Sequence, residues 1–266
     1  MRLSLLLRPH SPLILPLNYQ QMLQGFIYRI MQDREFASFL HERGYEYGKR
    51  TFKLFTFSRL TGKAQIDRRT KTICFRDTVR WQVSSVLPEF IQEFGRSLLL
   101  SPELEWHGQK LSVEELRYKQ EEHYPSCCEI VMLSPVTVHS TYETYDGRKL
   151  TRYFDPDAPD FAQLIHDNLR RKYVAYYGSE PESKRFTIRP VRVRARDKVV
   201  TQFKNIIITG WNGRYMLEAP AELIRFAHAV GIGSRNSQGF GMFKIYQKGK
   251  MVNPHDKTGT EQKQDQ

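Results

Sequence analysis

Residues 231–241 read GIGSRNSQGFG, a loop of four glycines in two pairs around a polar centre. It is not a P-loop, because no Gly-Lys-Ser/Thr ends it, and not a dinucleotide fingerprint, because Asn236 stands at the third glycine position. A helical pattern precedes the loop and a strand pattern follows it, the reverse of both nucleotide loops. A plain helix-to-strand connection would need one glycine, as a helix cap.

Glycines allow a ligand to approach the backbone closely, and polar loop residues supply donors to phosphates or bases. The loop is therefore a candidate phosphate- or base-binding segment. The candidate contacts are Gly231, Gly233, Ser234, Arg235, Asn236, Gly239 and Gly241.

The segments around this loop predict an α+β unit. Hydrophobic periodicity and breaker residues predict a helix from Pro220 to Val230 before the loop and a strand from Phe240 to Tyr246 after it. Upstream, the pattern predicts a strand at 129–138, a helix at 160–176 and a long hairpin of strands 186–196 and 199–211. This β-α-β-β-α-β order is the ferredoxin-like plan.

The same order occurs earlier in the chain. A strand at 2–8 and a helix from Asn18 to about Asp33 are followed by a short helix that Gly44 ends. Strands at 52–60 and 71–75 with a turn near Gly62, a strand at 78–83, a helix at 88–100 and a strand near Trp106 complete it. The sequence thus predicts two tandem ferredoxin-like (RRM-like) domains, 1–125 and 126–246, and a disordered tail, 247–266.

Composition indicates a basic protein with a core of ordinary size. Of 266 residues, 41 are Lys or Arg and 29 are Asp or Glu, a net charge of +12, and 40% are hydrophobic. Such a charge favours polyanions, with nucleic acid first and an anionic membrane surface second. Three cysteines are too few for a disulfide scaffold and match no zinc spacing. This cysteine usage predicts a reducing, cytoplasmic setting. The lack of an apolar run of ~18 residues predicts that the chain does not span a membrane.

The run from Lys184 to Lys204 holds eight basic residues and one acid. If it is a strand, period-two alternation places four cations on one face. We predict that this face contacts phosphates, the alternative being a solvated edge strand that uses charge to prevent aggregation. The four cations are Arg192, Arg194, Arg196 and Lys198.

The glycine-rich loop resembles the C-terminal signature of the CRISPR-associated endoribonucleases that cut CRISPR repeat transcripts, in the repeat-associated mysterious protein superfamily. The match is complete at its glycines and lies just before the last strand, as in that family. Leu133-Ser134-Pro135, at the start of the second unit, is also similar. The resemblance covers residues 1–246, including the tandem ferredoxin-like plan.

The resemblance also gives meaning to three residues that are not distinctive alone. Family members place a tyrosine on the first helix, a histidine after Tyr/Phe-Leu, and a lysine directly before Leu-Phe-Thr. Tyr28 in LQGFIYRIM, His41 in SFLHERG and Lys53 in FKLFTFS fill these positions. The segment 44–50 between His41 and Lys53 is longer than in the family.

The implied activity is an endoribonuclease that cuts precursor CRISPR RNA within its repeats, with no cofactor and no metal. The 2′-hydroxyl attacks its own 3′-phosphate, His41 acts as acid or base, Lys53 stabilises the phosphorane and Tyr28 assists the histidine or orients the hydroxyl. The products would carry a 5′-hydroxyl and a 2′,3′-cyclic or 3′ phosphate.

Expected partners are CRISPR repeat RNA, a CRISPR effector complex and a second copy in a homodimer. Two other functions stay open: a non-catalytic RNA-binding subunit of an effector complex, and a nucleotide-binding enzyme that uses the glycine loop.

Overall fold

The computed structural model describes residues 1–101, 103–119, 123–183 and 185–247. The predicted tail, 247–266, lies outside the described residues except for Gln247. The first unit contains strands and helices in this order: β1 (Arg2–Pro9), β2 (Leu13–Pro16), α1 (Gln20–Ile30), α2 (Arg34–Ser38), β3 (Tyr45–Tyr47), β4 (Arg50–Phe52), β5 (Phe55–Phe57), β6 (Thr61–Asp67), β7 (Thr72–Ser85), α3 (Pro88–Leu100), β8 (Leu104–Trp106) and β9 (Gln109–Lys119).

The long strand β7 organises the sheet of the first unit. It pairs antiparallel with β5 and β6 along one edge and with β1 and β2 along the other. Strand β9 then pairs with β1, and β8 extends the sheet beyond β9. The order β5/β6–β7–β1–β9, with α1 and α3 as the connecting helices, is the ferredoxin-like arrangement.

The second unit repeats this arrangement. Its elements are β10 (Cys127–Met132), β11 (His139–Glu143), β12 (Lys149–Tyr153), α4 (Phe161–Tyr177), β13 (Thr187–Arg192), β14 (Lys198–Phe203), β15 (Ile206–Trp211), β16 (Arg214–Glu218), α5 (Ala221–Val230) and β17 (Phe243–Ile245). The main sheet has the order β13–β16–β10–β17, and two hairpins, β11–β12 and β14–β15, are additions to the plan. The predicted fold class, α+β with two tandem ferredoxin-like domains, is confirmed.

Some predicted details are wrong. The first-unit turn lies at residues 68–71, and Gly62 is inside β6, where its missing side chain allows close approach to the Thr78 carbonyl. The last strand of the ferredoxin-like plan is β9 and not the predicted strand near Trp106. Strand β9 is half-exposed, and its mixture of charged and apolar residues gives no clear strand pattern. The predicted hairpin is also wrong, because β13 pairs with β16 while β14 pairs with β15.

The basic segment is not one continuous strand. Strand β13 ends at Arg192, a 3₁₀ turn spans Ala195–Asp197, and β14 starts at Lys198. The chain turns here because the Asp197 carboxylate accepts a hydrogen bond from the Arg194 backbone N–H at 2.8 Å. The predicted alternation of cations on one face is therefore wrong, although all four cations are exposed.

The two units share one hydrophobic core, which includes Trp81 and Trp106 from the first unit and Tyr215 and Phe226 from the second. One buried cation joins them at the start of the chain. The Arg2 guanidinium, 7% exposed, donates hydrogen bonds to the carbonyl oxygens of His228 (3.1 Å) and Phe243 (2.9 Å). The first strand of the first unit is thereby attached to the last helix and last strand of the second.

We predict that Arg2→Met lowers the free energy of unfolding by about 2–3 kcal/mol, because it removes charged hydrogen bonds and leaves buried carbonyls with fewer donors. In thermal denaturation this corresponds to a decrease in Tm of roughly 5–10 °C. Arg8→Met on the same strand is the control, since Arg8 is exposed and its ion pair with Glu114 is on the surface. Equal Tm values for the two variants would contradict the role of Arg2.

Candidate active site and RNA-binding cavity

Tyr28 and His41 are in contact in the folded chain. Helix α1 carries Tyr28, and a π-helical turn, Phe39–Arg43, carries the exposed His41. Their ring centroids are 5.0 Å apart in an edge-to-face arrangement. The Tyr28 ring also contacts Phe55 of β5 edge-on at 5.9 Å, which fixes its position against the core. Burial raises the pKa of the Tyr28 phenol, so Tyr28 is a neutral hydroxyl at physiological pH.

The turn that carries His41 ends at Gly44, as predicted. The Gly44 N–H donates to the Phe39 carbonyl at 2.7 Å, which closes the π-helical turn. Gly44 has a φ of +73°, and a Cβ there would lie 2.6 Å from the Phe52 carbonyl oxygen and 3.0 Å from the Lys53 side chain. A glycine is therefore required for the His41 turn to pack directly against the segment that carries Lys53.

Lys53 lies between β4 and β5 and is half-buried. Burial lowers the pKa of its ammonium, and the nearby Glu42 carboxylate opposes this effect. The next residue, Leu54, is buried with a left-handed φ of 54°, and its carbonyl accepts a hydrogen bond from the Ser85 hydroxyl at 2.8 Å. A residue keeps such a strained backbone conformation only where the surrounding contacts hold it in place. The structure thus brings Tyr28 and His41 into contact and places Lys53 next to Glu42 and Gly44, at the end of the turn that carries His41.

Lys53 also lines a cavity of about 680 Å³. The cavity lies between the units, bounded by β4, the start of β5, β11, α4 and the glycine-rich loop. Within the described part of the chain its lining contains five Lys or Arg side chains and no Asp or Glu. The five cations are Arg50, Lys53, Arg171, Lys172 and Arg235. A cleft of this size and charge suits the phosphates of a nucleic-acid strand.

Sequence reasoning missed four members of this lining: Arg50, His139, Arg171 and Lys172. His139 is partly buried, its Nδ1 has no hydrogen-bond partner among the residues that the structure describes, and its ring packs on Tyr153 at 5.6 Å. Burial, with the adjacent charges of Arg235 and Arg50, lowers the pKa of His139 to about 4. No local motif marks these residues, since they come from β4, β11 and α4 and meet only in the folded chain.

The glycine-rich loop is shaped by contacts within the protein. A Cβ at Gly241 would overlap the Ile232 carbonyl oxygen, and one at Gly239 would overlap the Phe57 ring. At Gly233 a Cβ would lie 2.5 Å from the Thr137 carbonyl oxygen, and at Gly231 it would lie 2.7 Å from the Asn236 amide nitrogen. The space expected for a ligand at these glycines is thus occupied by the chain itself.

Asn236 is likewise used internally. It is 7% exposed, and its amide nitrogen donates to the carbonyls of Ile232 and Phe240, both at 3.0 Å. The amide of Asn236 is therefore used to hold the loop closed. Ser234 and Arg235 are half-exposed and face the cavity. The predicted RNA contacts of all three residues stay predictions.

Arg192, Arg194, Arg196 and Lys198 lie apart from this cavity. They are exposed near the inserted hairpin β14–β15, where Lys198 lies over the Trp211 ring at 5.3 Å and pairs with Asp155 at 3.8 Å. They form a second basic surface, and their RNA contact also stays a prediction.

Two further features of the described residues bear on function. No group of three His, Cys, Asp or Glu side chains is arranged to hold a metal ion in the part of the chain that the structure describes. Among the described residues, no helix is long and apolar enough to cross a membrane.

Comparison with known proteins covers nearly the whole chain. The family model described as "CRISPR-associated protein Cas6, N-terminal" matches residues 14–117, and "CRISPR associated protein Cas6, C-terminal" matches residues 118–245. The chain is 28% identical over 249 residues to CRISPR-associated endoribonuclease Cas6 1 of Methanocaldococcus jannaschii, covering 91% of each chain. It is 27% identical to CRISPR-associated endoribonuclease Cas6 of Pyrococcus furiosus, covering 86% of this chain and 83% of that one.

A solved structure of a Cas6-related gene product from Pyrococcus furiosus has the same fold. It superposes with a TM-score of 0.81 at 21% identity, over 93% of this chain and 99% of that one.

The loop geometry predicts that Gly241→Ala destabilises the fold by at least about 2 kcal/mol, because the new Cβ meets a backbone carbonyl at a positive φ. The matched control is Gly25→Ala in α1, where a Cβ meets nothing within 4 Å. Helix propensity there favours alanine by up to ~1 kcal/mol. Urea denaturation should shift the two midpoints in opposite directions, and a Gly241→Ala midpoint at or above the wild-type value would refute the account of the loop.

Proposed function

The chain belongs to the Cas6 family and is a CRISPR-associated endoribonuclease, and we propose that Tyr28, His41 and Lys53 cut the RNA repeat without a catalytic metal ion. The observation that carries this proposal is the edge-to-face contact of Tyr28 with His41 at 5.0 Å, with Lys53 next to the end of the His41 turn and on the wall of a cationic cavity. These three side chains supply the functions that RNA scission by an internal nucleophile needs: a base, an acid and a cation.

In the proposed reaction the 2′-hydroxyl oxygen at the cleavage site attacks the adjacent phosphorus. The P–O bond to the 5′-oxygen of the next nucleotide breaks. The hydroxyl proton leaves to a base and the departing 5′-oxygen receives a proton from an acid, which balances the step. The products are a 2′,3′-cyclic phosphate, or the 3′-phosphate formed from it by water, and a 5′-hydroxyl.

His41 is exposed and therefore accessible to the RNA, so it is the group we assign to proton transfer. Tyr28 holds the imidazole through its ring edge and offers a neutral hydroxyl, whose raised pKa suits it to donating a hydrogen bond rather than to accepting the proton. Lys53, cationic and partly desolvated, is placed to stabilise the charge that develops on the phosphorane.

The RNA is proposed to pass from this group into the cavity between the two units. Arg50, Arg171 and Arg235 would neutralise successive phosphates, and the half-exposed Ser234 would donate a hydrogen bond. The exposed cations Arg192, Arg194, Arg196 and Lys198 would contact a more distant part of the repeat. An effector complex and a homodimer are further proposed partners.

Cleavage of a cognate repeat is predicted to persist in EDTA and to stop when the nucleotide 5′ of the cut is 2′-deoxy. The deoxy substrate lacks the nucleophile, while Lys53 supplies the cation. Denaturing electrophoresis of end-labelled RNA checks both results. Cutting of the deoxy substrate would exclude attack by the 2′-hydroxyl, and loss of cutting in EDTA that Mg²⁺ restores would exclude the metal-free mechanism.

His41→Ala is predicted to slow single-turnover cleavage by about 10²–10⁴-fold, the usual contribution of general acid–base catalysis, and to change repeat affinity only a few-fold. The control is His10→Ala, since His10 is an exposed histidine in the turn after β1. Wild-type rates in His41→Ala would remove His41 from the site. A wild-type protein that binds the repeat but never cuts it would instead support a non-catalytic RNA-binding subunit.

A further inference from the structure

A buried lysine forms hydrogen bonds with the glycine-rich loop. Lys172 is in the middle of α4, and its side chain is 4% exposed. Its ammonium donates hydrogen bonds to the Gly231 carbonyl (3.1 Å), the Gly233 carbonyl (2.9 Å) and Asn236 Oδ1 (2.5 Å). All three oxygens belong to the glycine-rich loop, so one side chain attaches helix α4 to three points of that loop.

Lys172 and Asn236 together direct the polar backbone of the loop inwards. The Asn236 amide accepts from Lys172 and donates to the carbonyls on both sides of the loop, at Ile232 and Phe240. With its carbonyls held inside, the loop presents Ser234 and Arg235 to the cavity. The Lys172 ammonium therefore contributes three hydrogen bonds to the conformation of this part of the cavity wall.

The charge of Lys172 has no carboxylate partner in the hydrogen bonds that the structure gives it. Its three acceptors are neutral oxygens, and burial lowers its pKa to about 7. An ammonium has a proton for each of these oxygens, whereas the neutral amine has only two. Lys172 also lines the cavity, so a phosphodiester bound there would favour the charged form.

We propose that Lys172 is a positioning residue of the RNA site: its protonated side chain holds the glycine-rich loop in the RNA-binding conformation and adds positive charge to the cavity. This inference rests on the proposed function, because it assumes that the cavity binds the repeat. It adds a coupling between RNA affinity and the protonation of one buried side chain.

The sign of this coupling follows from linkage. RNA binding stabilises the charged form of Lys172, so raising the pH above about 7 removes the proton and weakens binding. Other groups face the same space: Asn168 and Arg171 from α4, Arg50 and Lys53 from the first unit, His139 from β11 and Arg235 from the loop. The arginines stay charged, and His139 and Lys53 contribute equally to wild type and variant, so the difference between the two isolates Lys172.

The test measures repeat-RNA affinity of wild type and Lys172→Met from pH 6 to pH 9, using a 2′-deoxy substrate that cannot be cut. At pH 6.5 the variant should bind about ten- to a hundredfold more weakly, the usual effect of losing a hydrogen-bonded charge. Wild-type Kd should rise with pH between 7 and 9, by up to about tenfold per pH unit, and the variant should show a smaller rise.

Leu169→Ala, three residues earlier on α4 and fully buried, is the control for lost stability, because the leucine side chain carries neither a charge nor a hydrogen-bond donor. It should keep both the affinity and the pH dependence of the wild type. If Lys172→Met does not fold, Lys172→Gln retains side-chain hydrogen-bond donors without the charge and should show the same flattened pH dependence.

Wild-type affinity in Lys172→Met would overturn the inference, as would weakened binding that keeps the full wild-type pH dependence. Cleavage of the all-ribose repeat by the wild type is measured in parallel. Its failure would refute the proposed catalytic function, whereas the affinity titrations decide the role of Lys172 separately.

Discussion

The structure depends on the contact between strand β5 and the glycine-rich loop. The buried Thr56 hydroxyl donates to the Phe240 carbonyl at 2.9 Å, and the loop glycines at 231 and 239 leave just enough space for Thr56 and Phe57. The same strand contacts Tyr28 through Phe55, and Lys53 lies two residues before Phe55 in the chain. One short strand therefore joins the proposed catalytic group in the first unit to the glycine-rich loop of the second.

This contact between β5 and the glycine-rich loop explains why the loop needs its glycines. They allow two pieces of protein backbone to approach each other across the interface between the units, with several carbonyls turned inwards to Lys172 and Asn236. The surface proposed to bind RNA is made of side chains from both units. A loop that folds on itself in this way keeps a fixed shape before RNA arrives, which reduces the entropy lost on binding.

The basic residues form two surfaces in different parts of the molecule. The net charge of +12 supplies two separate basic surfaces, the cavity between the units and the segment from Arg192 to Lys198. Burial works in opposite directions on the two proposed catalytic partners of His41: it raises the pKa of Tyr28 and lowers that of Lys53. The first stays a hydroxyl, and the second becomes more responsive to a nearby phosphate.

Local patterns predicted those features whose cause is local. The helices at Pro88–Leu100 and Ala221–Val230 follow from amphipathic periodicity and a proline at the start, and the turn at Gly44 follows from a glycine after a helical run. Two features of the second unit do not follow from local patterns. The hairpin β11–β12 depends on strand pairing, and the division of the basic segment at Asp197 depends on a side-chain hydrogen bond. The cavity was missed for a related reason, since Arg50, His139 and Lys172 are brought together only by the packing of the units.

The central claim, that Tyr28, His41 and Lys53 surround the cleavage site beside the cationic cavity, is tested most directly by a crystal structure with a repeat RNA that is 2′-deoxy at the nucleotide before the cut. The account predicts that the scissile phosphate lies within hydrogen-bond distance of His41 and Lys53, with neighbouring phosphates in the cavity beside Arg50 and Arg235. A scissile phosphate bound away from these three side chains, with the cavity empty of RNA, would contradict it.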